Sequence, residues 1–323
     1  REVTTVGQTV KFAASGIGSF WYEGGLRLKE LIAPMGYDLK LDETVSDFKN
    51  VLSVADGTNE IGITMPQFVD WALRGHSAFK GKKIPDLRVI AVLNLPVWLA
   101  AAVDRASGIT SLREIAEKKY PWRVVLPAPA NLVGEYIEYI MKGHGITRES
   151  IISWGGADLR PTLQKTPEMR AKLIRETGRD EMISVTKDLA KNGETDGFFL
   201  YVNGNSTWGR DLTTMLDLRF LTFDENVLDA VNAEWGGTKI TLPARLFNGV
   251  DADMPATGWR HHYIYGAADV PDELVRAVLK AFEDERFLDN AHGFSYSAVR
   301  PQLVPNMKLH RATEEYYKQL ELA

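Results

Sequence analysis

The chain has 323 residues, 45% hydrophobic and 25% charged, with a formal net charge of -5. That length buries one large core or two smaller ones, and an acidic balance without any Lys/Arg block argues against a nucleic-acid surface. The absence of cysteine excludes disulfides, thiolate metal sites and cysteine nucleophiles, and no apolar run approaches the roughly 18 residues of a membrane span.

Val10, Phe12 and Ala14 alternate as in a strand. A turn, Ser15-Gly16-Ile17-Gly18-Ser19-Phe20-Trp21-Tyr22-Glu23-Gly24-Gly25, follows, and Leu28, Leu31 and Ile32 then have helical spacing up to about Ala33, where Pro34 and Gly36 end the helix. Strand, glycine-rich turn and helix together offer unpaired N–H groups to an anion, although such a turn after a first strand is more often a plain structural one. The glycine spacing is not the dinucleotide fingerprint, and no Walker lysine follows.

Tyr37–Leu41 alternates again, Thr44–Asp47 caps a helix through Ala55, Glu60–Thr64 is a short strand, and Met65-Pro66-Gln67 opens the next helix. Leu87–Leu93 reads as a buried strand, and Pro96–Val103 as a new one. Strands alternating with helices predict parallel sheets, with ligands at the carboxyl ends of the strands. Ser111 and Glu114 form a candidate capping box for a helix through Lys119. Trp122–Leu126 is a predicted strand, the turn Pro127–Gly134 leads to a helix over Glu135–Lys142, and Ile151–Trp154 is a predicted short strand. The charged stretch from about Ala157 to Ser184 reads as a solvated insertion, a lid or a membrane-subunit contact. Leu189–Phe199, Asn203-Gly204 and a helix from Ser206-Thr207-Trp208 come next. Leu218–Phe223 is a predicted strand, Asn226–Trp235 a helix, His261–Ala267 a returning strand, and the helix after Asp272 has an apolar face.

No H-E-x-x-H, G-x-S-x-G or P-loop is present, so neither a catalytic set, a metal nor a cofactor is expected. His261 and His262 are neighbours on a predicted strand and point to opposite faces, which makes both structural. His310 is expected to pack or cap near the C-terminus, and His76, His144 and His292 fall in polar loops and helix ends typical of surface histidines. Binding has positive support. Trp21, Tyr22, Trp98 and Trp208 fall at strand ends or at the crossover and suggest an aromatic wall. Ser15, Ser46, Gln67, Asn131 and Asn203 are the candidate polar partners. N–H groups of Gly16, Gly18 and Ser46 are candidates for a carboxylate, and Arg260 is a candidate counter-charge equally suited to the surface.

Several segments together resemble the TAXI family of solute receptors, the extracytoplasmic subunits of one kind of TRAP transporter. They are the opening turn, Thr44–Leu52, Glu60–Gln67, Phe79–Lys83 with Leu87–Leu93, Leu189–Phe199, Asp269–Val275 and Leu309–Tyr317. Asn131, Leu132 and Val133 replace the hydroxyl-rich core of one family turn, which points to a more apolar or aromatic carboxylate ligand. The resemblance implies a type II periplasmic-binding fold, with two parallel-sheet lobes joined by crossing strands: 1–95 plus 262–323, and 96–261. It also implies an exported monomer, its signal peptide removed, that delivers a small solute to TRAP permease subunits without inserting in the membrane. The alternatives are a receptor for an ATP-driven (ABC) importer of the nitrate, sulfonate or thiamine-precursor type, or an enzyme or sensor domain on the same fold. Replacing Trp21 by alanine is expected to weaken binding by more than about tenfold while the fold persists.

Overall fold

A computed structural model describes residues 7–16, 19–44, 47–75, 79–82, 84, 86–127, 132–159, 169, 181–204, 207–284, 295–296 and 307–322. The chain divides into two compact units, Arg1–Leu95 with His261–Ala323, and Pro96–Arg260.

The first unit opens with β1 (Gln8–Ala13), α1 (Phe20–Ile32), β2 (Tyr37–Asp42), α2 (Asp47–Ala55), β3 (Ile61–Thr64) and α3 (Pro66–Arg74). β1 is central, parallel to β2 from Gln8↔Tyr37 to Ala13↔Asp42 and parallel to β3 at Phe12↔Ile61. Helix α1 starts because Ser19 caps it, its side chain accepting the Tyr22 N–H at 3.1 Å, with Glu23 in the first turn where the helix dipole favours an acid. It ends in a 3-10 turn, Ala33–Met35, closed by Gly36 at φ 89°. Trp21, Leu28, Leu31 and Ile32 are buried on its inner face. A Cβ on Gly25 would lie 2.7 Å from Leu41 Cδ2 and 3.2 Å from Phe12 Cε1, so this glycine lets the helix lie against β1 and β2.

β4 (Leu87–Asp104) is a single strand of 18 residues where the sequence suggests two. Pro96 lies between Leu93 and Asn94, which pair with β11 (Ser295–Tyr296), and Val97, where pairing with β7 (Gly197–Asn203) begins, so its missing N–H costs neither of those two ladders a bond. β4 carries the chain through Leu95 and Pro96 into the second unit.

That unit contains α4 (Leu112–Glu117), β5 (Arg123–Val125), α5 (Leu132–Gly143), α6 (Arg148–Ser153), β6 (Ala157–Leu159), α7 (Glu181–Lys191), β7 (Gly197–Asn203), α8 (Thr207–Met215), β8 (Leu218–Phe220), α9 (Glu225–Trp235) and β9 (Thr238–Leu242). β5 is parallel to β6 and to β7, whereas β7 and β8 run antiparallel to β4. The core of the unit gathers Trp98, Phe198, Leu200, Phe220, Leu242 and Phe247, with the Phe220 and Phe247 rings stacked at 6.0 Å. β10 (Met254–Ala267) pairs antiparallel with β9 in its first half, then returns through Arg260 and His261 to the first unit, where Tyr263↔Thr64 sets it antiparallel to β3. Helices α10 (Asp272–Ala281) and α11 (Arg311–Leu322) complete that unit. The architecture is α/β with two lobes joined by crossing strands. The sheets are mixed rather than purely parallel, because the strands that carry the chain between units run against their neighbours.

Three local expectations need correction. Ile151–Trp154 is not a strand: Thr147 and Ser150 form a reciprocal capping box that starts α6, burying Ile151 and leaving Ile152 59% exposed. At Ser111 only half of the expected box forms. Ser111 Oγ accepts the Glu114 N–H, while the Glu114 carboxylate takes the N–H and hydroxyl of Thr110, and the helix stops at Glu117. His144 is 1% exposed rather than on the surface. Of the charged stretch, Arg160, Lys165, Arg170, Lys172, Arg175 and Arg179 lie outside the described residues, and Lys187 on α7 pairs with Asp211 on α8. No described helix is long and apolar enough to cross a membrane.

Candidate functional site

The polar groups of the first unit collect at the carboxyl ends of β1, β2 and β3. Ser15 follows β1 in the left-handed region at φ 71°, rare for a residue with a side chain. Its N–H is held by Thr44 Oγ1 at 3.2 Å, just past β2. The Thr44 hydroxyl donates to Asn50 Oδ1, and Asn50 Nδ2 donates to Ile63 O at 2.9 Å on β3. This net binds the three strand ends and α2 together. Thr44 and Asn50 are buried, as are Thr64 and Gln67 at the junction of β3 and α3. Gly16 is half-buried, and a Cβ there would meet nothing within 4 Å. Gly18 and Ser46 lie outside the described residues.

The aromatic candidates are placed differently from the sequence expectation. Trp21 is 3% exposed, and its Nε1–H donates to His262 Nδ1 at 2.9 Å. Trp98 is 7% exposed, and its Nε1–H donates to Thr241 O at 2.8 Å. Each indole is built into the interior of its own unit. Tyr22 is half-buried.

In the second unit Val133 and Asn203 are buried and Arg260 is exposed. Asn131 and the side chains of Leu132 and Trp208 lie outside the described residues. The sequence reading missed Arg148, the one buried cationic side chain among the described residues besides the histidines. Its guanidinium donates to Glu138 Oε1 at 2.6 Å, Asp158 Oδ2 at 2.7 Å and Pro127 O at 2.6 Å. It thereby ties α5, β6 and the start of the turn after β5 to α6. Nothing adjacent in sequence announces those partners.

Three histidines are held neutral. His262 accepts from Trp21 at Nδ1, so Nε2 carries the proton and donates to Leu95 O at 3.1 Å. Complete burial pushes its pKa down to about 3. His144 accepts the Asp224 N–H at Nε2 and donates from Nδ1 to Ile140 O; burial lowers its pKa, as it does for His310. A lowered folded pKa means that the neutral ring is favoured by folding. The stability is complete above the unfolded value near 6.5 and is lost as pH falls towards the folded value. For His262 alone this amounts to about 2 kcal/mol between pH 6.5 and 5. Asp272, held low by its hydrogen bond to Arg311, acts in a more acid range. Urea unfolding at pH 7 and pH 5 should show a fall of at least that size; equal stabilities would mean the rings are not buried neutral.

Among the described residues no three His, Cys, Asp or Glu side chains are grouped to hold a metal. The profile of the NMT1-like family matches residues 12–320. The chain belongs to the NMT1-like family. Similar solved structures include a protein of Bordetella bronchiseptica RB50, at 11% identity and TM-score 0.51, covering 97% of this chain and 98% of that one. A binding protein component of an ABC phosphonate transporter from Pseudomonas aeruginosa matches at 9% identity and TM-score 0.51, covering 98% of this chain and 86% of that one. The periplasmic aliphatic sulphonate binding protein of Escherichia coli matches at 10% identity and TM-score 0.47, covering 97% and 88%. No curated protein matches. The fold of this NMT1-like chain is that of the periplasmic binding proteins.

Proposed function

We propose that this NMT1-like protein is an exported receptor that binds a small acid without altering it and delivers it to a membrane transporter. The carrying observation is the set of neutral polar groups at the ends of β1, β2 and β3, built around the left-handed Ser15 and the Ser15–Thr44–Asn50 net. That net fixes the strand ends in place, and a helix start beside them, such as that of α3, offers N–H groups to an oxyanion. Family membership and the fold shared with a phosphonate-transporter component support the reading. The ligand-contacting candidates in the first unit are Ser15, Gly16, Thr44, Thr64 and Gln67. Ligand would favour the form of the protein in which it gains most contact.

Two transporter partners fit. The TAXI-like motifs favour TRAP permease subunits; the phosphonate-transporter neighbour favours an ABC importer. The permease genes beside this one separate the two. The receptor reading itself is tested by denaturing protein isolated from its own host and analysing the released small molecules by mass spectrometry. One small acid near one per chain is expected. A bound product arising from a different added compound would favour an enzyme.

A further inference from the structure

The net of Ser15, Thr44 and Asn50 is closed upon itself: the Ser15 N–H, the Thr44 hydroxyl and both ends of the Asn50 amide have partners inside the unit. The next junction, between β3 and α3, is not closed. Thr64 is fully buried, and its Oγ1 has no partner among the described residues. Gln67 is 2% exposed, and its Oε1 has none either. The Gln67 amide folds back over the residue that precedes the helix, with Nε2 3.7 Å from Met65 Sδ. A thioether accepts from N–H and not from a carbonyl, which orients the amide with Oε1 as the open atom. The helix start is open too. Met65 provides no side-chain cap, Pro66 has no N–H, and the Phe68 N–H goes to Met65 O, which leaves the Gln67 N–H among the donors that helix geometry does not satisfy.

An uncapped helix start favours an acid oxygen. Gln67 Oε1 can only accept, so it needs an N–H or O–H from the ligand, and the Thr64 hydroxyl can serve either. An acid with nothing but acceptor oxygens would bury Oε1 unpaired, which weakens binding. We infer that the start of α3, with Thr64 and Gln67, is a subsite for an acid oxygen together with an adjoining N–H or O–H, as α-hydroxy and α-amino acids present them. This rests on the receptor reading and specifies its ligand class.

The test uses the refolded full chain and three matched pairs: lactate and propionate, glutamate and glutarate, phenyllactate and phenylpropionate. Methanesulfonate and methylphosphonate are the donor-free controls. In thermal-shift titrations at least one hydroxy or amino acid should act at about tenfold lower concentration than its partner. Gln67→Met should abolish that preference. Without ligand, Gln67→Met and Thr64→Val should be as stable as the parent or more so, since each removes a buried group that has no partner. Lower stability of both variants without ligand would overturn the inference, because it would mean the two groups are bonded within the protein. Equal action of both members of every pair, or binding of the donor-free controls alone, would overturn it while leaving a receptor in place. No binding by any of the eight compounds would overturn the inference through its ligand class, and recovery of some other native solute by mass spectrometry would then still uphold the receptor.

Discussion

Trp21→Ala should lower the melting temperature by roughly 10 °C. Removing a buried tryptophan costs about 3–5 kcal/mol, and in a cooperative unit of this size each kcal/mol moves the midpoint by about 2–4 °C. Trp21 is 3% exposed at the start of α1, and its indole N–H is the donor to His262 Nδ1 on β10. His262 in turn donates to Leu95 O on β4. The variant therefore loosens helix α1 from two strands at once. Trp21→Phe keeps most of the buried area but takes the donor from His262, and should cost about 1–3 kcal/mol. Circular dichroism melts of the two variants decide the matter. An alanine variant that melts within about 2 °C of the parent would show that the indole is peripheral, and would return it to the aromatic ligand wall expected from the sequence.

The second large effect is at Arg148. Its guanidinium is 8% exposed, and Asp158, one of its partners, is 5% exposed. Breaking a buried ion pair from one side leaves the other charge uncompensated, at a cost of about 3–5 kcal/mol. Arg148→Met should show a loss of that size in urea unfolding. Arg148→Lys should recover only part of it, because an ammonium cannot present three donors in the planar fork that reaches Glu138, Asp158 and Pro127 O together. Adding Asp158→Asn to Arg148→Met should restore some stability by discharging the stranded carboxylate. A double variant no more stable than Arg148→Met would mean that the charge is already well solvated.

Much of the architecture was legible because its causes are local. Ser19 capping α1, Pro34 and Gly36 ending it, and Pro66 opening α3 all act within one or two turns of the chain. Misreadings arose where local and non-local causes compete. The isoleucine pair Ile151-Ile152 looks like a strand, but the Thr147–Ser150 box commits it to α6. Pro96 looks like a strand break, yet β4 runs through it, its β11 ladder ending at Asn94 and its β7 ladder starting at Val97. β9, only five residues from Thr238 to Leu242, is fixed as a strand by its pairing with β10 and not by its own short pattern.

The candidate site was legible in outline and not in chemistry. The strand-end turns of the first unit follow from alternating strands and helices. The identity of the groups that matter does not. Trp21 and Trp98 stand at the right positions in sequence, but their N–H groups are bonded to His262 and Thr241. Thr64 is the last residue of a short buried strand, where a hydroxyl is easily read as mere strand propensity. His144 sits at a helix end that suggests the surface, and only the distant Asp224 N–H explains its burial.

The central claim, that this protein binds a small acid without altering it, is tested most directly by titrating the refolded chain with hydroxy acids, amino acids, carboxylates, sulfonates and phosphonates while following both the melting temperature and the compound. A ligand that binds only the folded state adds about 2.7 kcal/mol of stability at a hundred times its dissociation constant. The predicted result is a saturable rise in melting temperature with one acid, recovered unchanged by nuclear magnetic resonance. Consumption of that compound, or no rise with any member of the series, would contradict the account.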